Sequence, residues 1–344
     1  MIVRLIAVGL IFVVLISGGC QGPPGRIGSL PSRTLFTGFP DPNDLGVHRS
    51  ASEKNGQVYT CKVGHIDLAH ARMAIDWTAF LADKTYKNLL ADNTEFSFKL
   101  KEPSVFFVEL TYPENWKDMS REQKEVLARE ISIRLGAYFT FTGANWHEIL
   151  TWFGYKSVGF FSEFSSAFSW EDTMSDLLGT YVADEAIRDT NRSFNEAATL
   201  ALNRWLEMLE VQPSSVARVA SERVRGLWYS DLVFHTVMKK RNLNIGLVDG
   251  FVAPWTVSSI SQCDETEPET FRVPNADFLS EYGFSMSFAI EPRGWEARKI
   301  LSIVYPDAKK RNNCLEPAVH FSPIMEYIAQ DAVKRYGPTV QKGD

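Results

Sequence analysis

Ser120-Arg-Glu-Gln-Lys-Glu-Val-Leu-Ala (residues 120–128) decides the fold class. A hydroxyl at Ser120 and an amide at Gln123, three positions on, make a capping box at the head of a long helical pattern. Ser193 with Glu196 repeats the box, Ser169 with Asp172 is an acidic variant of it, and Pro213 marks one more helix start. From 120 to about 225 the chain therefore reads almost entirely as helix. Toward the N-terminus, 57–63 reads as a short strand and 66–90 as a helix. Residues 95–100 and 105–112 form a hairpin turning through Glu102-Pro103-Ser104. Beyond Ser230 the pattern changes to short β segments at 232–238, 246–252 and 284–290, and a last helix starts near Ser322-Pro323. The expected class is α+β, helix-dominant. One globular domain is expected over 57–344: helical at 113–230, β-rich at 231–320 and closed by a helix at 323–336.

The first twenty residues carry an address. Arg4 precedes an uncharged run at 5–16, and small residues Ser17-Gly18-Gly19 lead to Cys20. A cation, about a dozen apolar residues and small residues before the cut make a secretory signal peptide, too short for the roughly 20 residues of a spanning helix. The stretch resembles the lipobox of bacterial lipoproteins, in which the cysteine is lipidated and becomes the mature N-terminus. Ser17 stands where that family usually has Leu, Val or Ile. An ordinary signal peptide and an uncleaved anchor are the other readings of the same stretch. Residues 20–56, with five prolines and six glycines between 21 and 56 and no apolar period, read as the lipidated cysteine and a tether.

Removing residues 1–19 takes away only Arg4 among the charged side chains, which leaves 35 cations against 42 anions. No basic run offers phosphate a partner, so nucleic acid is not expected as a ligand. Past Cys20 the cysteines are Cys61, Cys263 and Cys314, an odd number that allows at most one intrachain bridge. Cys263 and Cys314 both lie in polar, turn-rich stretches. Pairing these two is the expectation, with Cys61 a buried thiol.

Three groups of residues point to chemistry. In Gly64-His65-Ile66-Asp67-Leu68-Ala69-His70, two of the six histidines and a carboxylate fall within six residues, and Asp67 and His70 are one helical turn apart. Imidazole and carboxylate at that spacing suit zinc or a similar divalent ion, with His65, Asp67 and His70 as ligands. The same residues also fit a first-turn acid and a buried core histidine. In Trp170-Glu171-Asp172-Thr173-Met174-Ser175-Asp176, Asp172 and Asp176 share a side that continues through Gly179 and Ala183. Asp176 is a candidate fourth ligand, and Glu171 or Asp172 a candidate general base. Third, twelve of the 43 aromatics fall between Tyr138 and Trp170. Flat rings with polar edges suit a ligand-stacking wall, with Trp146, Trp152, Tyr155 and Trp170 as binding candidates, and suit a hydrophobic core equally. His147-Glu148 opens a His-Glu-x-x-His zinc motif that Thr151 breaks. His235 and His320 are isolated, and either could complete a site or be structural.

Together the lipobox, the Gly-His-Ile-Asp-Leu-Ala-His-Ala-Arg stretch with Asp76-Trp77-Thr78, and Phe-Ser-Trp-Glu-Asp-x-x-Ser-Asp-Leu-Leu-Gly resemble an uncharacterised family of bacterial envelope lipoproteins. The resemblance implies attachment to the membrane through Cys20. Gln21 after that cysteine implies sorting to the outer membrane, facing the periplasm. The leading expectation is a lipid-anchored protein that binds an envelope component (peptidoglycan, glycan or lipid) in an aromatic-lined cleft. The rivals are a metal-dependent envelope hydrolase built on His65, Asp67 and His70, and a structural subunit of an envelope assembly.

Overall fold

Strands β1 (Gln57–Thr60) and β2 (Gly64–Asp67) pair antiparallel, with Gln57 opposite Asp67 and Tyr59 opposite His65. This computed structural model describes residues 38–343 apart from 51, 157–162, 232–235, 308 and 310. The leader, Cys20, the first part of the tether and His235 lie outside the described residues. Helix α1 (Leu68–Leu90) follows β2 directly. It starts two residues later than the apolar period suggests, because Ile66 and Asp67 are still bonded into the hairpin. Asp67 caps it, accepting from the amides of Ala69 at 2.7 Å and His70 at 3.4 Å.

The predicted hairpin forms as β3 (Glu95–Phe98) and β4 (Val105–Thr111), and β9 (Ser285–Glu291) adds to the free edge of β4 as a third antiparallel strand. Helix α2 (Arg121–Trp152) opens on the predicted capping box at Ser120. It runs between α1 and the sheet and is buried nearly all round from Ile131 onward. Helix α3 (Asp172–Arg188) begins at Asp172 rather than at Ser169, whose amide instead donates to the Asp172 carboxylate at 3.1 Å. Helix α4 (Phe194–Met208) carries the second capping box, and α5 (Ser214–Val224) starts after Pro213. The chain is α+β and helix-dominant.

Helix α1 is the hub, packed on both α2 and α3. Two glycines set how close those helices come. A Cβ on Gly136 of α2 would lie 2.8 Å from the Thr78 carbonyl oxygen, and one on Gly179 of α3 would lie 2.3 Å from that of Ala71. Any side chain at either position would push α2 or α3 off α1. The side of α3 that continues through Gly179 is thus taken up by the α1 backbone.

Short antiparallel pairs follow, β5 (Tyr229–Asp231) with β6 (Thr236–Met238) and β7 (Phe251–Val252) with β8 (Phe271–Arg272). Then come α6 (Ala297–Val304) and α7 (Pro317–Tyr336). Helix α7 begins at Pro317, six residues before the sequence expectation, and Pro323 lies inside it. Pro317 fits the first helical position, where the amide has no intrahelical acceptor to lose, whereas Pro323, at the seventh position, forgoes the bond to the Val319 carbonyl.

Two expectations are corrected here. Residues 38–56 are not a free tether: Leu45 and His48 are buried, Arg72 of α1 pairs with Glu53 at 3.2 Å, and His48 contacts Asp76 at 2.9 Å. Proline and glycine in this stretch turn a chain that is pinned to α1. The disulfide joins Cys61 to Cys263, with Cα atoms 5.0 Å apart, and Cys314 is the free cysteine. Trp255 bridges to Gly64, so the segment leading to Cys263 runs beside the β1–β2 turn that holds Cys61. Leu315 is bridged to Ile290 instead, which places Cys314 by the β9 sheet. Among the described residues no helix is long and apolar enough to cross a membrane.

Candidate active site

The first turns of α1 and α3 meet at a buried group of acids and one imidazole. The Asp67 amide donates to Ser175 Oγ at 2.8 Å, and that hydroxyl donates to the Glu171 carbonyl at 2.6 Å. These bonds lock the β2–α1 junction to the start of α3. They bring His70 Nδ1 within 2.9 Å of Asp172 Oδ1 and 3.5 Å of Asp67 Oδ2. The other Asp172 oxygen holds the Ser169 amide, so this carboxylate is fixed from both sides. The two sequence segments singled out for chemistry therefore face each other.

Burial works against a charge on His70. The fields of Asp67, Asp172 and Asp176 outweigh it and hold the ring's proton well above the usual imidazole range. Its side chain keeps 22% exposure, which leaves it within reach of a ligand. Asp176, one turn along α3, is 6% exposed, and its Oδ1 has no hydrogen-bond partner. Burial pushes its carboxyl well up; His70 opposes the shift, while Asp172 and Glu148 add to it.

Glu148 enters from α2. Its Oε2 accepts the Phe168 amide, and burial followed by the charge of Asp172 lifts its pKa to about 7. Glu171 accepts from Gln57 Nε2 at 2.8 Å through Oε1, leaving Oε2 without a partner. Burial, then Asp172, raise its carboxyl well above the normal range, which favours the protonated acid. A second pair borders the group. His147 Nδ1 lies 2.6 Å from Glu102 Oε1, and its Nε2 lies 3.7 Å from Glu163. Burial lowers the affinity of His147 for its proton, but Glu102 and Glu148 raise it further, and the balance is upward. Arg241, fully buried, donates to the Ala167 carbonyl and to Tyr336 Oη, and its charge interacts with Glu148 and Asp172.

Other expected site residues lie elsewhere. His65 is 1% exposed and stands edge-on to Tyr59 and Trp170, with neither ring nitrogen hydrogen-bonded. Burial alone drives its pKa to about 3, so it is a neutral packing group apart from His70 and its acids. Among the described residues no three His, Cys, Asp or Glu side chains converge as they would around a metal ion. Trp146, Trp152 and Trp170 are buried, at 0%, 4% and 2% exposure, and do not line a cleft. Trp146 donates to Ser104, Trp152 to Asp331, and Trp170 packs on Trp228 and Tyr229. Trp146 and Trp152 are drawn inside because α2 is covered on nearly every side, and Trp170, just before α3, because it packs on the 228–229 stretch; each ring removes a large apolar area from water. Tyr155 is half-buried beside His147. His320, on α7, bonds only locally, to Glu316.

Sequence reasoning passed over Glu148 as half of a broken zinc motif, and did not single out Glu102, Gln57 or Arg241. One signal for Glu148 was present: it is the only Asp, Glu, Lys or Arg between Leu135 and Trp152 on a helix otherwise built to be buried. A carboxylate in such a run has to be paired, protonated or functional.

No curated protein and no solved structure matches the chain. A family model described as "Protein of unknown function (DUF4056)" matches residues 42–243, a span that includes every acid, imidazole and guanidinium of the candidate site. The chain belongs to this family.

Proposed function

We propose that the protein is a hydrolase of the bacterial cell envelope that works by general acid–base chemistry at the α1–α2–α3 junction. One observation carries the reading: Glu148, whose carboxyl is lifted to about 7, interacts with the charge of His70, a partly exposed imidazole whose proton three aspartates hold. Neighbouring groups whose proton affinities are pushed in useful directions are the working parts of such catalysts. In the proposed step Glu148, partly ionised near neutrality, takes a proton from water. The water oxygen bonds to the carbon under attack, the bond from that carbon to the leaving oxygen breaks, and His70 gives its proton to that oxygen. Asp172 orients His70, and Glu171, tied to Gln57, shapes the wall. Exposure of peptidoglycan, envelope glycan and acyl-ester substrates to the purified chain tests this. Cleavage that disappears in Glu148→Gln supports it, and cleavage unchanged in that variant rejects it.

A divalent cation such as zinc is the other way to balance Asp67, Glu148, Glu171, Asp172 and Asp176, which outnumber the buried cations beside them. Elemental analysis separates the two readings. One equivalent of metal lost in Asp176→Asn supports a metal-dependent hydrolase, and metal-free protein that still turns over supports the acid–base site.

The proposed location is the outer membrane, facing the periplasm, with lipid on Cys20. The Cys61–Cys263 bridge supports export, since disulfides persist in oxidising compartments. Fractionation of cells carrying Cys20→Ala tests it: release of the protein from the membrane is expected, and unchanged membrane retention contradicts lipidation.

A further inference from the structure

A concave cavity of about 700 Å³ lies between α2, the segment 273–288 and the start of α7. Its wall is aromatic, with Tyr138 and Phe141 on α2 facing Phe288 and Phe321. Its polar rim carries Asp277 and Glu316, both exposed, and no Lys, Arg or His lines it. Along α2, Tyr138, Phe141 and Asn145 follow the spacing of one helical stripe. Glu148 lies seven residues, or about two turns and roughly 10 Å, beyond Phe141 on that same stripe. The cavity and the acid–imidazole group therefore share one face of one helix.

We propose that this cavity holds the apolar chain of an amphiphile whose head is cationic, and that it is the chain-binding subsite of the candidate active site. Apolar area buried against four rings supplies affinity, while two exposed acids on a rim whose lining holds no cation select the sign of the head; Arg134, stacked on Phe278 beside Asp277, stays outside the lining. The subsite's link to catalysis rests on the proposed hydrolase function; the binding itself does not.

The probes are dodecyltrimethylammonium and dodecanoate, equal in chain length and opposite in charge, titrated calorimetrically into the full chain below their micelle concentrations. The ammonium is expected to bind about 10-fold tighter, the scale of an interaction with two screened surface charges. In Asp277→Lys/Glu316→Lys the preference reverses. Ser280→Trp, an exposed rim position that narrows the mouth, weakens both probes at least about 10-fold, in line with steric loss of apolar burial. Glu148→Gln leaves binding intact, so failure of the hydrolase reading is seen separately from failure of this one. Equal affinity for the two probes, or affinity that Ser280→Trp does not alter, overturns the proposal.

Discussion

His65 and His70 sit five residues apart at the mouth of one helix, yet the fold puts them in opposite states. His65 is wedged among aromatic rings without a polar partner, and burial drives its pKa to about 3. His70 is met by Asp67 from its own turn and by Asp172 from α3, and those charges keep it protonated against the same desolvation. The difference teaches that the imidazole does not decide its role. What decides it is the element packed opposite: an apolar wall stapled by Cys61–Cys263 in one case, an acidic helix start in the other.

The largest expected effect separates the two histidines directly. His70→Gln and Glu148→Gln should each lower turnover by about 10²–10⁴-fold, the range for loss of a general acid or base. His65→Leu should leave kcat in place and change only stability. Equal losses of kcat at His65 and His70 would break the comparison.

The next effect concerns the wall behind His65. Replacing Cys61 and Cys263 together by alanine opens a bridge between residues 202 positions apart. The expected cost is about 2–5 kcal/mol of unfolding free energy, read by urea denaturation with and without reductant. A wild-type transition that reductant does not move would show that the bridge contributes nothing.

A smaller effect sharpens the His70 side. Gly179→Ala would set a Cβ 2.3 Å from the Ala71 carbonyl. Overpacking of that kind costs about 1–3 kcal/mol, and here it also spreads α3 from α1. Thermal unfolding should show the loss, and turnover should fall with it because Asp172 moves away from His70. Full activity in this variant would argue that the α1–α3 approach does not position the site.

The last effect is the pH dependence of stability, and the two regions contribute with opposite sign. The folded pKa of His65 is depressed from 6.5 to about 3, so the unfolded chain binds the proton more readily. Stability is lost as pH falls from 6.5 toward 3. The folded pKa of Glu148 is raised from 4.5 to about 7, so its contribution is complete below 4.5 and is lost as pH rises through 7. Urea denaturation across pH should show a flatter acid limb in His65→Leu and a flatter near-neutral limb in Glu148→Gln. Unchanged slopes would contradict the assigned environments.

Local signals carried much of the fold into the sequence. The capping boxes at Ser120 and Ser193 and the 95–112 hairpin rest on contacts a few residues apart, and all three are present. The two chemical segments were also legible, because isolated acids and imidazoles stand out in apolar helices. What pairs across distance was not. Cys61 and Cys263 meet only because the 255–263 segment returns along β1–β2. His65 looks like a ligand beside Asp67 until Trp170 is seen to pack against it. The tryptophans of α2 fit a ligand wall as well as a core in sequence, and only the neighbours surrounding that helix choose the core.

The most direct test is a pH titration of the histidine ring resonances by NMR in chain labelled at histidine, with His65→Leu and His70→Gln used for assignment. His70 is expected to remain imidazolium well above pH 6.5, while His65 remains neutral down to about pH 3. Loss of the His70 proton at or below pH 6.5 would contradict the acid-clamped imidazole on which the proposed chemistry depends.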